Sequence, residues 1–278
     1  MAQKIKFVTD SASDIPRSLR EELDILVLPF PIAMGAREYQ DGVDFTPAEF
    51  YDMLLASPHI PTHAQLTPFV FSQCFEEAFR QGYTDLIYTS INSKGSATHQ
   101  NALQAREEFY EDRPEAKDTF RIHILDSHSY TMAYGWAVVQ GARMAREEKP
   151  VQEILTYIQD WISHARVLFA PLDLRFAKKS GRVSAAAAFM GEALGSKVLT
   201  KVRGEKNVIP TLLEMCQKTR EPNTPYLVVR AGNPEQAERM IDACAQALGQ
   251  PADLIYEIGG VIAINAGPNL VGLIYREK

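Results

Sequence analysis

The sequence has few cysteines and no long apolar run. Its three cysteines, Cys74, Cys216 and Cys244, are far apart and lie in helix-like patterns, so neither a disulfide framework nor a CxxC metal site is indicated. The opening residues MAQKIKFVTD lack the cationic and apolar regions of a signal peptide, and no apolar stretch has the length of a bilayer span. We therefore expect a protein of the reducing cytoplasm that is neither secreted nor embedded in a membrane.

Positive charge and the common catalytic motifs are also scarce. The chain carries 29 Lys and Arg against 35 Asp and Glu and has no basic stripe interleaved with aromatics, which argues against nucleic-acid binding. It lacks GxGxxG after the first strand, GxxxxGK[ST], HExxH and GxSxG, the signatures of dinucleotide, phosphate-loop, zinc-protease and elbow-serine chemistry. His59 and His63 have helical spacing, but Pro61 between them makes a helical metal site improbable, and we expect no bound metal.

What is present is a regular alternation of short apolar runs and longer amphipathic ones. The order KIKFVTD, PRSLREEL, DILVLPFPIAM, TPAEFYDMLLAS is βαβα, and DLIYTS, NALQAREEFYE and FRIHILDS continue it. This order predicts an α/β fold, with a parallel sheet covered by helices on both faces in the first half. The second half predicts a mixed α+β unit with a buried helix at SAAAAFMGEALGSKVL. We place the division between domains 1–155 and 156–278, near Pro150.

Two polar segments lie where a ligand could bind. Asp10, Ser11 and Asp14 follow the first strand, and ligands of open α/β sheets gather at the carboxyl ends of strands. Capping of the next helix would explain them equally well. The loop INSKGSATHQNA joins a buried strand to a helix, where free N–H groups favour a negative ligand.

Three further segments also have two interpretations. PTHAQLTPF predicts a loop in which His63 either donates to an anion or is idle. Gly181 and Arg182 predict a turn whose guanidinium either binds carboxylate or phosphate or is merely solvated. INAGPNLVGLIY predicts a turn through Asn265, and turn chemistry alone would account for that residue.

Taken in order, these segments resemble the DegV family of bacterial fatty-acid-binding proteins. The resemblance rests on TDSASD, YQDGVDFTPAEFY, THAQLTP, SKGSATHQNA, ILDS, KKSGRVSAAAAFMG and AINAGPNLVGL, which together span nearly the whole chain. It implies a two-domain DegV-like fold, with a parallel-sheet α/β domain, a mixed α+β domain and a lipid pocket between them. It further implies that the fatty acid is cargo and that the protein itself has no catalytic residues and no cofactor.

The resemblance also assigns residues to the fatty-acid carboxylate. Ser96 matches the family's carboxylate-binding serine and Thr98 its neighbour at the helix start, although Ala97 replaces a glycine, which would strain any positive φ there. His63 matches a ligand-binding threonine, whereas a one-residue shift would place Thr62 there. Asn265 occupies the position of the family's histidine. We interpret the two changes as an exchange in which His63 supplies the imidazole.

The family implies a partner, and the residues leave two other functions open. In some members the bound acid is presented to a separate fatty acid kinase, and a basic turn at Arg182, with Lys178 and Lys179, would suit such a partner. One alternative is an acyl-ester hydrolase with Ser96 as nucleophile, His63 as base and Asp126 as orienter. The other, a phosphotransferase subunit, lacks any phosphate loop.

Overall fold

A computed structural model describes residues 3–172, 197–198 and 207–278 of the chain. The helices in these residues follow the amphipathic segments of the sequence. They are α1 (Arg17–Leu23), α2 (Pro47–Ala56), α3 (Pro68–Arg80), α4 (Thr98–Asp112), α5 (Met132–Arg146), α6 (Val151–His164), α7 (Val208–Thr219), α8 (Pro234–Leu248) and α9 (Gly260–Ala266). Within the described ranges, no helix combines the length and apolarity needed to cross a membrane.

The first half of the chain forms the predicted parallel sheet. Its strands β1 (Ile5–Asp10), β2 (Ile25–Leu28), β6 (Asp85–Ser90) and β7 (Arg121–Asp126) are ordered β2-β1-β6-β7, and every neighbouring pair is parallel. All six residues of β6 are buried, as expected for a central strand covered on both faces.

Two expectations for short segments of this half were wrong. DILVLPFPIAM was predicted as one strand, but it forms β2 and then β3 (Pro31–Met34), which belongs to a separate three-stranded sheet with β4 (Arg37–Gln40) and β5 (Thr62–His63). Prolines lack the N–H that a continuous ladder needs, and Pro29 and Pro31 fall at this break. β5 lies in the segment PTHAQLTPF, predicted as a loop, where His63 is paired with Ile32 and Thr62 with Ala33.

The second half contains a mixed sheet, as predicted. Its strands β8 (Ala165–Pro171), β9 (Lys197–Val198), β10 (Tyr226–Arg230), β11 (Leu254–Tyr256) and β12 (Leu270–Arg276) are ordered β11-β10-β12-β8-β9. β12 is antiparallel to both of its neighbours, whereas the two edge pairs are parallel. The predicted helix SAAAAFMGEALGSKVL and the turn at Gly181 and Arg182 lie outside the described residues.

Helices α5 and α6 lie between the two sheets in the core. Residues of the parallel sheet, of both helices and of the mixed sheet share one hydrophobic cluster, in which the indole N–H of Trp161 donates to the carbonyl of Ala133 at 2.8 Å. The division proposed between residues 155 and 156 falls inside α6, so one continuous helix spans it.

Candidate functional site

An apolar cavity lies where both halves of the chain meet. The empty space along it amounts to about 920 Å³ when the space open to solvent at its mouth is included. The described residues of its wall are Phe30, His63, Ile91, Gly95, Ser96, Tyr130, Thr131, Val167, Leu168, Phe169, Val229, Tyr256, Ile258, Val261, Ile262, Asn265, Ala266, Leu270, Leu273 and Ile274. Most of these side chains are aliphatic or aromatic, so the cavity suits a largely hydrocarbon ligand.

Two of the sequence-predicted residues are hydrogen-bonded to each other at this wall. The side-chain amide of Asn265 lies 3.2 Å from Nε2 of His63 and donates to the carbonyl of Val261 at 2.7 Å. Asn265 was expected in a turn, but it lies in the last turn of α9, which places its side chain on the cavity. His63 and Asn265 therefore form one polar pair, although they are distant in sequence.

Ser96 also reaches the cavity, and Thr98 supports it from behind. The two hydroxyls are 2.9 Å apart, and the backbone N–H of Thr98 donates to Oγ of Ser96 at 3.3 Å. Thr98 is fully buried and its hydroxyl accepts from the N–H of Leu66 at 3.2 Å, while Asn101 donates to the carbonyl of Leu66 at 2.6 Å. These bonds join the loop of Ser96 to the segment that follows His63.

The backbone at Ala97 has a negative φ, which alanine adopts without strain, and Thr62 lies apart from the cavity wall. Ala97 has φ of −72°, so the alanine found where the family has a glycine is unstrained. Thr62 has an exposed side chain and is not among the described residues of the cavity wall. Of the two alternatives that the sequence left open, His63 is therefore the one that lies on the described part of the cavity wall.

The hydrolase arrangement is not assembled around the cavity. Oδ1 of Asp126 accepts the backbone N–H groups of Ser93 and His128, and Oδ2 lies 3.0 Å from Nδ1 of His128. Asp126 lines a different cleft, shared with His99. The proposed orienter therefore binds another histidine, whereas Nε2 of His63 faces the amide of Asn265.

Buried carboxylates beneath the cavity were not identified as a group from the sequence. Asp10, at the end of β1, accepts hydrogen bonds from the hydroxyls of Tyr134 at 2.6 Å and Tyr88 at 3.0 Å and from the N–H of Ile91 at 2.8 Å. Ile91 begins the loop that carries Ser96. Asp10 thus fixes this loop from the interior, and α1 begins after Pro16 without a side-chain cap.

Asp10 is expected to make stability depend on pH. Burial raises its pKa to about 6, and the hydrogen bonds from Tyr134, Ile91 and Tyr88 offset part of that rise. The folded state therefore holds a proton that the unfolded chain releases near its usual pKa of about 3.9. The contribution of this group to stability is complete below about pH 4 and is lost as the pH rises through about 6.

Between pH 4 and pH 7, we expect the free energy of unfolding of the wild type to fall by about 2 kcal/mol more than that of Asp10→Asn, which cannot ionise. Urea denaturation across this range measures the difference. Tyr134→Phe is the opposing control, because loss of a donor to the charged carboxyl should raise the pKa further and steepen the dependence. Parallel pH profiles for all three proteins would contradict the assignment.

Asp14 and Asp41 hold the beginning of α9 from the first half of the chain. The N–H of Gly259 donates to Oδ1 of Asp14 at 2.8 Å, and that of Gly260 donates to Oδ1 of Asp41 at 2.9 Å. A Cβ at Gly259 would lie 2.9 Å from the Asp14 carboxylate, and one at Gly260 would lie 2.8 Å from that of Asp41. Burial raises the pKa of both carboxyls. The start of α9 is thereby fixed against the segments that follow the turn Ser11–Ser13 and strand β4.

The Asp14 and Asp41 contacts were not foreseen in sequence. Asp14 was considered for a ligand or for a cap of the next helix, and α1 begins at Arg17 without a side-chain cap bond. Nothing in the local sequence around Asp41 signals a contact with Gly260, which lies more than two hundred positions away.

The fold and this cavity define an α/β protein with a parallel sheet, a mixed sheet and a small third sheet, and with a cavity lined mostly by apolar side chains. Residues 4–278 match the family model described as "Uncharacterised protein, DegV family". The chain belongs to the DegV family. It is 29% identical to a DegV domain-containing protein of Caldanaerobacter subterraneus over 99% of this chain and 100% of that one.

Solved structures of similar proteins agree with the fold. A fatty acid binding DegV family protein from Streptococcus agalactiae has a TM-score of 0.81 and 25% identity, and the match covers 100% of both chains. A DegV family protein from Thermus thermophilus, described for its fatty acid binding, has a TM-score of 0.83 at 24% identity, covering 99% of this chain and 100% of that one. A stearic-acid-binding protein from Eubacterium ventriosum has a TM-score of 0.84 at 22% identity, covering 99% and 98%.

Proposed function

We propose that the protein binds a long-chain fatty acid, with the acyl chain in the apolar cavity and the carboxylate at Ser96, His63 and Asn265. The observation that carries this proposal is the position of these three polar residues on a wall that is otherwise mostly apolar. Thr98 supports the hydroxyl of Ser96, and Thr62 contributes at most through the strand that holds His63. The protein then acts as a carrier that performs no chemistry on its cargo.

The energetics suit such a ligand. Each buried CH₂ is worth about 0.8 kcal/mol, so a chain of around sixteen carbons gives on the order of ten kcal/mol before ordering costs. The carboxylate then needs only to be satisfied, because buried oxygens without partners would cost several kcal/mol. A serine hydroxyl, an imidazole and an amide are donors suited to this task. The fatty-acid-binding description of the Streptococcus agalactiae relative supports the same ligand class.

We further propose that the loaded protein presents its fatty acid to a fatty acid kinase in the cytoplasm of a bacterium. The family resemblance supports the kinase partner. The three cysteines, which are free and buried, support a reducing compartment. The residue proposed for partner contact, Arg182, lies outside the described residues.

The carboxylate assignment predicts the effect of removing its donors. Ser96→Ala should weaken fatty-acid binding by roughly ten- to a hundredfold, since a hydrogen bond to a charged group contributes about 1.5–3 kcal/mol. If His63 supplies the imidazole that relatives carry elsewhere, His63→Ala should have an effect of similar size. Displacement of a fluorescent fatty acid measures both affinities.

Matched controls lie close by in the sequence. Ser93 is an exposed serine of the same loop as Ser96, and His59 is an exposed histidine before β5, so Ser93→Ala and His59→Ala should bind as the wild type does. Unchanged affinity in Ser96→Ala would reject the carboxylate site. Unchanged affinity in His63→Ala alone would reject only the imidazole exchange. A wild-type protein that binds no fatty acid would reject the proposed function.

A further inference from the structure

Thr131 lies at the start of α5, but its side chain bonds to residues outside that helix. It occupies the N-cap position of α5, where a threonine hydroxyl ordinarily accepts a backbone N–H, yet it makes no side-chain cap bond. Its hydroxyl lies 2.6 Å from Oδ2 of Asp14 and 3.0 Å from the hydroxyl of Tyr256. The side chain therefore joins a carboxylate of the first half to a ring of the second.

The backbone at the threonine end of the shorter bond is strained. Thr131 has φ of +56°, a region that residues other than glycine rarely adopt, least of all β-branched ones, whereas aspartate tolerates the φ of +54° found at Asp14. The N–H of Thr131 donates to the carbonyl of Ala12 at 2.9 Å, which helps to hold this conformation. Strain of this kind persists where the surroundings fix it, and it is concentrated at ligand sites.

The three groups form a hydrogen-bonded chain. The hydroxyl of Thr131 lies within hydrogen-bond distance of Oδ2 of Asp14 and of the hydroxyl of Tyr256, while Oδ1 of Asp14 accepts the N–H of Gly259. The phenol is thereby held at its only polar atom. Gly259, three residues after Tyr256, is held by the same carboxylate.

Tyr256 needs such an anchor because of its place in the sheet. It ends the three-residue strand β11, which within the described part of the chain is paired with β10 alone. Its side chain is 2% exposed and lies on the cavity wall, as does Thr131. Rotation of this ring would change the width of the space available to an acyl chain.

We infer that Asp14, Thr131 and Tyr256 form a positioning unit that fixes the Tyr256 ring as a wall of the cavity and so sets which acyl chains are accepted. The inference rests on the proposed function and deepens it, because it names residues that select among chain lengths. The three residues act on the hydrocarbon chain and are separate from the proposed carboxylate donors.

Thr131→Val and Tyr256→Phe each break the hydroxyl chain with little change of shape. We expect palmitate to bind about tenfold more weakly to either variant, as for one lost hydrogen bond in a buried network. The ratio of affinities across saturated acids from lauric to stearic should flatten at the same time. Thr131→Ser keeps the hydroxyl and should restore both the affinity and the chain preference. Isothermal titration calorimetry with each acid measures these quantities.

Thr9→Val is the control for a purely structural effect. It removes another fully buried hydroxyl, which donates to the carbonyl of Thr89 at 2.8 Å in the parallel sheet and lies outside the cavity wall. It should lower stability without changing the chain preference. An unchanged preference in Thr131→Val and Tyr256→Phe, or an equal change in Thr9→Val, would overturn the inference while leaving fatty-acid binding by the wild type intact. Absence of binding by the wild type would instead reject the proposed function.

Discussion

Ile262→Trp is expected to weaken fatty-acid binding roughly a hundredfold while leaving the chain folded. Ile262 is a half-buried residue of α9 that lies on the cavity wall, so part of the larger ring can extend to solvent while the rest fills the cavity. Displacing about four methylenes of an acyl chain would remove about 3 kcal/mol, roughly a hundredfold in affinity. Titration with a fluorescent fatty acid, together with circular dichroism, separates lost binding from lost fold.

The same substitution at Ile255 is the matched control. Ile255 is 40% exposed in β11 and is not among the described cavity residues, so Ile255→Trp should bind fatty acid as the wild type does. Normal binding by Ile262→Trp would mean that the acyl chain occupies a different part of the molecule.

Gly135→Ala is expected to destabilise the fold by about 3 kcal/mol, although alanine is the better helix former. Gly135 lies in α5 where that helix meets the turn Ser11–Ser13, and a Cβ there would lie 2.4 Å from the carbonyl oxygen of Ser13 and 2.8 Å from Sδ of Met132. A backbone carbonyl cannot rotate away as a side chain can. Urea denaturation gives the change in the free energy of unfolding.

Gly141 of the same helix is the comparison for this prediction. Its added Cβ would meet only side-chain atoms of Ile158, Phe7 and Ile154, at 3.0–3.3 Å. Those side chains can shift by a few tenths of an ångström, so Gly141→Ala should cost less than about 1 kcal/mol, with part of the cost offset by helix propensity. Equal losses for the two variants would show that the carbonyl of Ser13 yields to the methyl group.

Helices and strands with a clear hydrophobic periodicity could be predicted from sequence. Elements that form only through contacts with distant residues could not. The alternation of KIKFVTD and DLIYTS with amphipathic runs predicted β1, β6 and their flanking helices, because burial on two faces leaves a continuous apolar strand. β5 has two residues and exists through pairing with β3. Helix α9 has seven residues, too few for an isolated helix, and its start is held by Asp14 and Asp41.

The candidate site shows the same division. Ser96, His63 and Asn265 were identified through the family resemblance, and the structure brings them to one cavity. The unit of Asp14, Thr131 and Tyr256 was not identified, because its hydrogen bonds join residues more than one hundred positions apart and no local pattern encodes them. Thr131 in particular is a threonine directly before a helix, a position that is typical of a side-chain cap. In the folded chain its side chain makes no cap bond.

Strand β12 has a consequence for how the protein is made. It is central in the mixed sheet, between β10 and β8, and it supplies Leu270, Leu273 and Ile274 to the cavity. On the ribosome, β8 emerges about a hundred residues before the strand that must separate it from β10. The mixed sheet therefore stays open during most of synthesis, with unpaired edges that favour aggregation and give chaperones a target. The cavity therefore lacks part of its wall until β12 has left the exit tunnel.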